Sequence, residues 1–362
     1  MIRRALVLAL AAAGFAGCRA EQAGNVEAER PAARAAATPE VARVQPAKVA
    51  PAPEVAVELI PLAGDAALDI AELSGLAWFG DQLVLLPQYP DRFESAHQGV
   101  LFAIARAELE ARIEHTSEQP IEPARIELVA PGLFERIDGF EGFESIAFAG
   151  TRAYLTIEAS GSGGMAGYLV RGDMDAGGTR LVIDTHTLAD IPAATDLDNA
   201  SDESVLVLGD RVLTLYEGNG AGVNPAPHAH VFDASLGALG TIPFPSIEYR
   251  VTDASDADAQ QRFWVINYLF SGDRTKYRPA EDAIAARYGR GETHGRSESV
   301  ERLLELQYTP AGITLVERPP IALRLQPGDR NWEGLVRWSE RGFLVVTDRF
   351  PETMLGYVPR PR

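Results

Sequence analysis

The sequence predicts an all-β protein, a five-bladed β-propeller, and three observations lead there. Four stretches share one template: Leu73-Ser74-Gly75-Leu76, Phe143-Glu144-Ser145-Ile146, Asp202-Glu203-Ser204-Val205 and Trp332-Glu333-Gly334-Leu335. Each sets an oxygen-bearing side chain and a small residue ahead of a short apolar strand. A second polar residue then recurs at a nearly fixed distance. Ser74 lies 14 residues before Gln88, Glu144 14 before Glu158, Glu203 14 before Glu217 and Glu333 15 before Asp348, and a degenerate copy runs 14 residues from Asp253 to Asn267. Finally, strand-like runs punctuated by Gly, Pro, Asp and Asn recur from Val55 onward. A small antiparallel sheet cannot bury both faces alone, so repeated copies must stack on one another.

The elements follow in order. The first blade reads Ser74–Phe79, Gln82–Pro87, Val100–Ile104 and Ile126–Val129; the second reads Ser145–Phe148, Ala153–Glu158, Tyr168–Val170 and Arg180–Asp184. The third reads Ser204–Leu208, Val212–Tyr216, His230–Phe232 and Leu239–Ile242. The fourth begins near Asp253 and continues with Phe263–Tyr268, Leu303–Tyr308 and Ile313–Glu317. The last has only Leu335–Trp338, Phe343–Thr347 and Met354–Val358, and the orphan strand Val55–Ile60 is expected to pair there, closing the ring and removing two sheet edges. Six blades is the alternative, but the extra one would have to lie between residues 269 and 300. That stretch reads as polar loop with a helix over Ala280–Arg287.

Ahead of the propeller domain, 55–362, two segments are expected to be of another kind. Residues 1–18 read as a signal peptide: Arg3 and Arg4, a short apolar run, and Phe15-Ala16-Gly17-Cys18, a lipobox whose cysteine would carry the lipid. Residues 19–54, rich in Ala, Pro, Glu and Arg, read as a disordered tether. The expected location is the bacterial cell envelope, lipid-anchored and facing the periplasm or the outside. Cys18 is the only cysteine, so intrachain disulfides and thiolate metal sites are excluded. A net charge of −18 speaks against a nucleic-acid partner. The expected state is a monomer acting on a small-molecule substrate or envelope ligand.

In a propeller the first strand of every blade lines the axis, which brings Ser74, Glu144, Glu203, Asp253 and Glu333 to one point, with Ser255 as a substitute for Asp253. So many converging carboxylates need compensation, and an all-oxygen donor set suits Ca2+. The simpler reading is that these residues hydrate a channel or tie blades together through backbone bonds. The second set, Gln88, Glu158, Glu217, Asn267 and Asp348, should open toward one mouth. Within it Glu158, Glu217 and Asp348 are the candidate general bases.

These motifs resemble the calcium-activated nucleotidases of the apyrase family, and are similar as well to the esterase-like phytase domain. The stretch Tyr249-Arg250-Val251-Thr252-Asp253 leading to Gln261-Arg262-Phe263-Trp264 shares the first resemblance, with Asp where that family has Glu. The resemblance implies a five-bladed propeller with one axial calcium held by Ser and Glu. It makes the expected function metal-dependent hydrolysis of a small phosphorylated or ester substrate. The alternative is a non-catalytic binding or scaffold propeller with a structural calcium. A phosphate substrate would require cations at the mouth, for which Arg92, Arg250, Arg274, Lys276, Arg278 and Arg349 are candidates. No Gly-x-Ser-x-Gly elbow is present, which argues against a serine hydrolase of the usual kind.

Overall fold

Four sheets, the largest of them spanning two four-stranded blades, account for the domain in the computed structural model, which describes residues 52–94 and 98–361. Blade 1 comprises Leu73–Phe79, Gln82–Pro87, Gln98–Ala105 and Ala124–Val129, and blade 2 comprises Phe140–Ala149, Arg152–Gly161, Gly164–Met174 and Arg180–Ile191. Their outer strands pair in parallel, Glu127–Val129 with Arg180–Val182, so the two blades share one continuous sheet. Blade 3 comprises Asp202–Leu208, Arg211–Tyr216, His228–Asp233 and Ala238–Pro243. Blade 4 has Arg250–Ala254, Arg262–Leu269 and Val300–Thr309, with Gly312–Leu315 and Ile321–Leu323 both paired to the third strand. Blade 5 has Trp332–Trp338, Gly342–Thr347 and Leu355–Pro359.

The first strands pack side by side in a closed ring, blade 5 returning to blade 1. Between blades the core is apolar: second-strand side chains such as Val84, Leu86 and Leu155 are fully buried against the neighbouring sheet. The expected closing strand is split in two. Glu58–Ile60 pairs antiparallel with Leu355–Tyr357 and completes blade 5, whereas Glu54–Val55 pairs in parallel with Ala322–Leu323 of blade 4. Glu54 fixes this detour: its carboxylate accepts from the backbone N–H groups of Thr293 and His294 and from His294 Nδ1.

The expected helix between residues 269 and 300 is Ala283–Tyr288, capped by Asp282, whose carboxylate accepts from the N–H groups of Ile284 and Ala285. Arg302 holds that carboxylate with two bonds from the third strand of blade 4. The lipobox and all of the tether up to Pro51 lie outside the described residues.

A β-bulge sits at the same place in the first strand of four blades. Ser74, Glu144, Glu203 and Glu333 are the residues skipped when the ladder passes from Leu73 to Gly75, Phe143 to Ser145, Asp202 to Ser204 and Trp332 to Gly334. A bulge bends its strand and re-aims the extra side chain, which is how blades 2, 3 and 5 turn Glu144, Glu203 and Glu333 toward the cavity. In blade 4 the ladder skips from Val251 to Ala254, leaving Thr252 and Asp253 unpaired.

Candidate active site

The bulges open onto a cavity of about 690 Å³ at one mouth of the axis, lined by nine carboxylate residues and three arginines. Glu144, Glu203 and Glu333 line it from the ring, and Gln88, Glu158 and Asp348 join them from the second set. Exposed Phe270 and Phe350 stand at its rim. These expected site residues do converge.

Ser74 and Asp253 do not join them. The Ser74 hydroxyl donates to the carbonyl of Phe143 at 2.6 Å and is buried between blades 1 and 2. Thr252 makes the same bond between blades 4 and 5, its Oγ1 donating to the carbonyl of Trp332 at 2.6 Å. Phe143 and Trp332 each precede a ring glutamate, so Thr252 is the counterpart of Ser74, and Asp253 lies one residue past the ring. Its carboxylate instead forms the floor beneath the cavity. Oδ1 accepts from Ser145 Oγ at 2.9 Å and Oδ2 from the N–H of Leu335 at 2.7 Å, while Ser145 Oγ accepts from the N–H of Val205 at 3.2 Å. Blade 1 contributes Gly75 to this layer, where a Cβ would stand 3.2 Å from Ser145 Cα. The substitute Ser255 stays within its own blade, accepting from the N–H of Trp264.

The same one-residue offset moves Asn267 out of the second set. Val251 pairs with Asn267 as Leu73 pairs with Pro87, so the counterpart of Gln88 and Glu158 is Tyr268, which lines the cavity. Asn267 is buried, bonded to the carbonyls of Glu248 and Arg250 and to Arg302 Nε. Glu217 is fully buried behind the wall, where its Oε2 accepts from Arg250 Nε and from the hydroxyl of Tyr277.

Arg250 is the residue that reasoning from the sequence underrated, as one rim cation among six. Its guanidinium lies among carboxylates of two neighbouring blades. It donates from Nη2 to Glu203 Oε1 at 2.7 Å, from Nε to Glu217 and from Nη1 to Asn331 Oδ1 at 3.3 Å, and it stands 3.7 Å from Glu333 Oε1. Asn331 in turn donates to Glu333 and, at 3.0 Å, to Asp348. The other two cavity arginines, Arg92 and Arg349, both pair with Glu72 Oε1, at 2.9 and 3.3 Å. Arg274, Lys276 and Arg278 do not line the cavity.

Burial with so many like charges pushes the acids upward. Burial first, then Glu158 and Glu333, lift Glu144 well above the usual carboxylate range. Burial and then Glu217 lift Glu158 to about 7. Burial and then Asp348 lift Glu333, and burial lifts Glu203 against the pull of Arg250. Asp348 is raised mainly by burial, opposed by bonds from the Phe350 N–H and from Asn331.

The donors do not fit a five-ligand calcium ring. Two of its expected members bond elsewhere, and a guanidinium stands between two others. Among the described residues no group of three or more His, Cys, Asp or Glu side chains is arranged to hold a metal ion.

No family model matches the chain. No curated protein sequence matches it either. Solved structures do. One comes from the GH130 family of mannoside phosphorylases, which contains glycoside hydrolases that target β-1,2 mannosidic linkages in Candida mannan; it is 8% identical, with a TM-score of 0.48 over 85% of this chain and 95% of that one. The exo-β-1,3-galactanase of Phanerochaete chrysosporium is 9% identical, with a TM-score of 0.46 over 84% of this chain and 64% of that one. The catalytic domain of the Coprinopsis cinerea GH62 α-L-arabinofuranosidase is 8% identical, with a TM-score of 0.45 over 86% and 98%. Likeness at this level carries no argument about activity. It does correct the family resemblance drawn from the motifs: these similar structures are described as glycoside hydrolases, not as apyrase-type nucleotidases or phytase domains.

Proposed function

We propose that this chain is a hydrolase that cleaves a glycosidic bond in a neutral, polyhydroxylated substrate held in the axial cavity. The observation that carries this reading is Glu158, a carboxyl lining the cavity with its pKa raised to about 7 beside further carboxyls. An acid half-protonated near neutral pH is matched to proton transfer to a leaving oxygen.

Two features support the substrate class. Nine carboxylates against three arginines, each arginine already paired, repel a phosphate but accept hydroxyl donors. The rim aromatics Phe270 and Phe350 offer apolar faces to a sugar ring. In the mechanism Glu158 donates its proton to the departing glycosidic oxygen. Asp348, whose carboxylate is oriented by bonds from the Phe350 N–H at 2.7 Å and Asn331 Nδ2 at 3.0 Å, takes a proton from the attacking water. The hydroxide equivalent bonds to the sugar carbon as its bond to the leaving oxygen breaks, so one water is consumed per bond. Glu217 does not reach the cavity and serves as a positioning residue through Arg250.

A panel of aryl glycosides and oligosaccharides, with nucleotides, phosphomonoesters and aryl esters as controls, tests the reading. Turnover confined to glycosides is expected. Turnover of the controls alone, or binding of sugars with no turnover of any substrate, refutes it. An envelope location is supported by the sequence alone, through the charged start, the apolar run and Cys18. Fatty-acid labelling of the expressed protein that disappears in Cys18→Ser is the matching measurement.

A further inference from the structure

A ring of acidic side chains calls for a cation, and the chain supplies one itself. Arg250 enters from the start of the blade 4 first strand, and 12% of its side chain is exposed. Its fork reaches Glu203 of blade 3, Glu217 at the end of the blade 3 second strand, and Asn331 at the entrance to blade 5. The backbone behind it is fixed too: its carbonyl accepts from Asn267 Nδ2 at 3.0 Å, and its chain bridges to Gly218 of blade 3. The Tyr277 hydroxyl donates to Glu217 Oε2 at 2.9 Å, so one of the carboxylates that grips the guanidinium is itself held by a residue outside the blades.

We propose that the guanidinium of Arg250 is the resident cation of this channel, standing where a divalent ion would otherwise balance the charge, and that its removal opens a site for Ca2+. A calcium ion needs six to eight oxygens about 2.3–2.6 Å from one point. The guanidinium occupies the space between Glu203 and Glu217, bonded to the first through Nη2 and to the second through Nε, so these side chains cannot close on a common centre while Arg250 is present. A second observation indicates unused coordinating capacity. Glu203 Oε2 and Glu217 Oε1 are buried and, among the described residues, accept no hydrogen bond. One guanidinium faces three carboxylates, and those two oxygens, with Glu333 close by, are the donors that a small dication could use once the fork is gone.

This inference rests on the ring described above and is independent of the hydrolytic reading. Scanning calorimetry of the wild-type protein in millimolar Ca2+ and in EDTA is expected to give the same Tm; a saturable rise above about 2 °C with calcium overturns the proposal. Arg250→Ala is expected to melt lower and to be raised by millimolar Ca2+ by more than about 2 °C, with binding visible by titration calorimetry. If Arg250→Ala does not fold, Arg250→Gln takes its place, and absence of calcium binding by the folded variant overturns the proposal. Arg250→Lys, which keeps a charge at the site, is expected to remain unresponsive to calcium, and a calcium-driven rise there also counts against it. A protein inactive on every glycoside but showing these melting responses would uphold this inference while refuting the proposed activity, so the two fail separately.

Discussion

Glu144 and Asp253 are both buried carboxyls on innermost strands, yet one lines the cavity and the other seals its floor. A single residue of register separates them. Glu144 occupies the bulge, where the extra residue is swung toward the mouth, while Asp253 takes the next position, where Ser145, Ser204, Gly75 and Gly334 sit in the other blades. Neighbouring residues on a strand face opposite ways, so a one-residue slip exchanges a cavity-lining acid for a structural one. The same chemical group is thus assigned to the cavity wall or to cohesion by its place in the ladder alone.

The comparison can be broken first on the cavity side. Glu158→Gln should lower kcat by about 10²–10⁴, as removal of a general acid does, with Tm nearly unchanged because the amide keeps the volume and relieves repulsion. A fall in Tm with activity retained would instead move Glu158 to the structural class. On the floor the opposite is expected. Asp253→Ala strands the Ser145 hydroxyl and the Leu335 N–H in a dry layer, a loss of about 3 kcal/mol measurable by urea denaturation.

A third measurement uses pH. Acids whose pKa is raised in the folded state hold more protons than the unfolded chain between the two values, so stability falls as pH rises through that window. For Glu158 the window runs from 4.5 to about 7. Wild-type protein should therefore be less stable at pH 7.5 than at pH 5, and Glu158→Gln should flatten that slope. By the same sign, kcat should decline above pH 7 as the proton donor is lost. The smallest effect belongs to the rim: Phe350→Ala should raise KM severalfold with kcat retained, since a stacked aromatic face contributes about 1 kcal/mol.

The repeat was legible because a bulge plus a two-stranded turn imposes a nearly constant spacing, and Ser74, Glu144, Glu203 and Glu333 mark it in four blades. Blade 4 misled because its turn is longer: the true partners, Thr252 and Tyr268, are 16 apart, while Asp253 and Asn267 mimic the spacing of 14 seen elsewhere. Thr252 could have been found from the chemistry of Ser74, since both are hydroxyls ahead of the small-residue layer. A count of acids alone does not show which side chain from another strand enters among them, and here Arg250 does. Arg250 lies two residues before Thr252, on the same face of the strand, and that alternation was readable. What no spacing could reveal is that Glu217 turns away from the mouth, because that depends on Arg250 and Tyr277, which approach from blade 4 and from the helix-bearing loop.

The split amino-terminal strand gives the domain a mechanical property. Glu54–Val55 runs parallel to blade 4 and Glu58–Ile60 antiparallel to blade 5, so traction on residue 52 loads Glu54 and its His294 anchor before it reaches the seam of the ring. The clasp must shear at one sheet before it can unzip from the next, and a pull from the amino-terminal side is borne away from the strands that line the cavity.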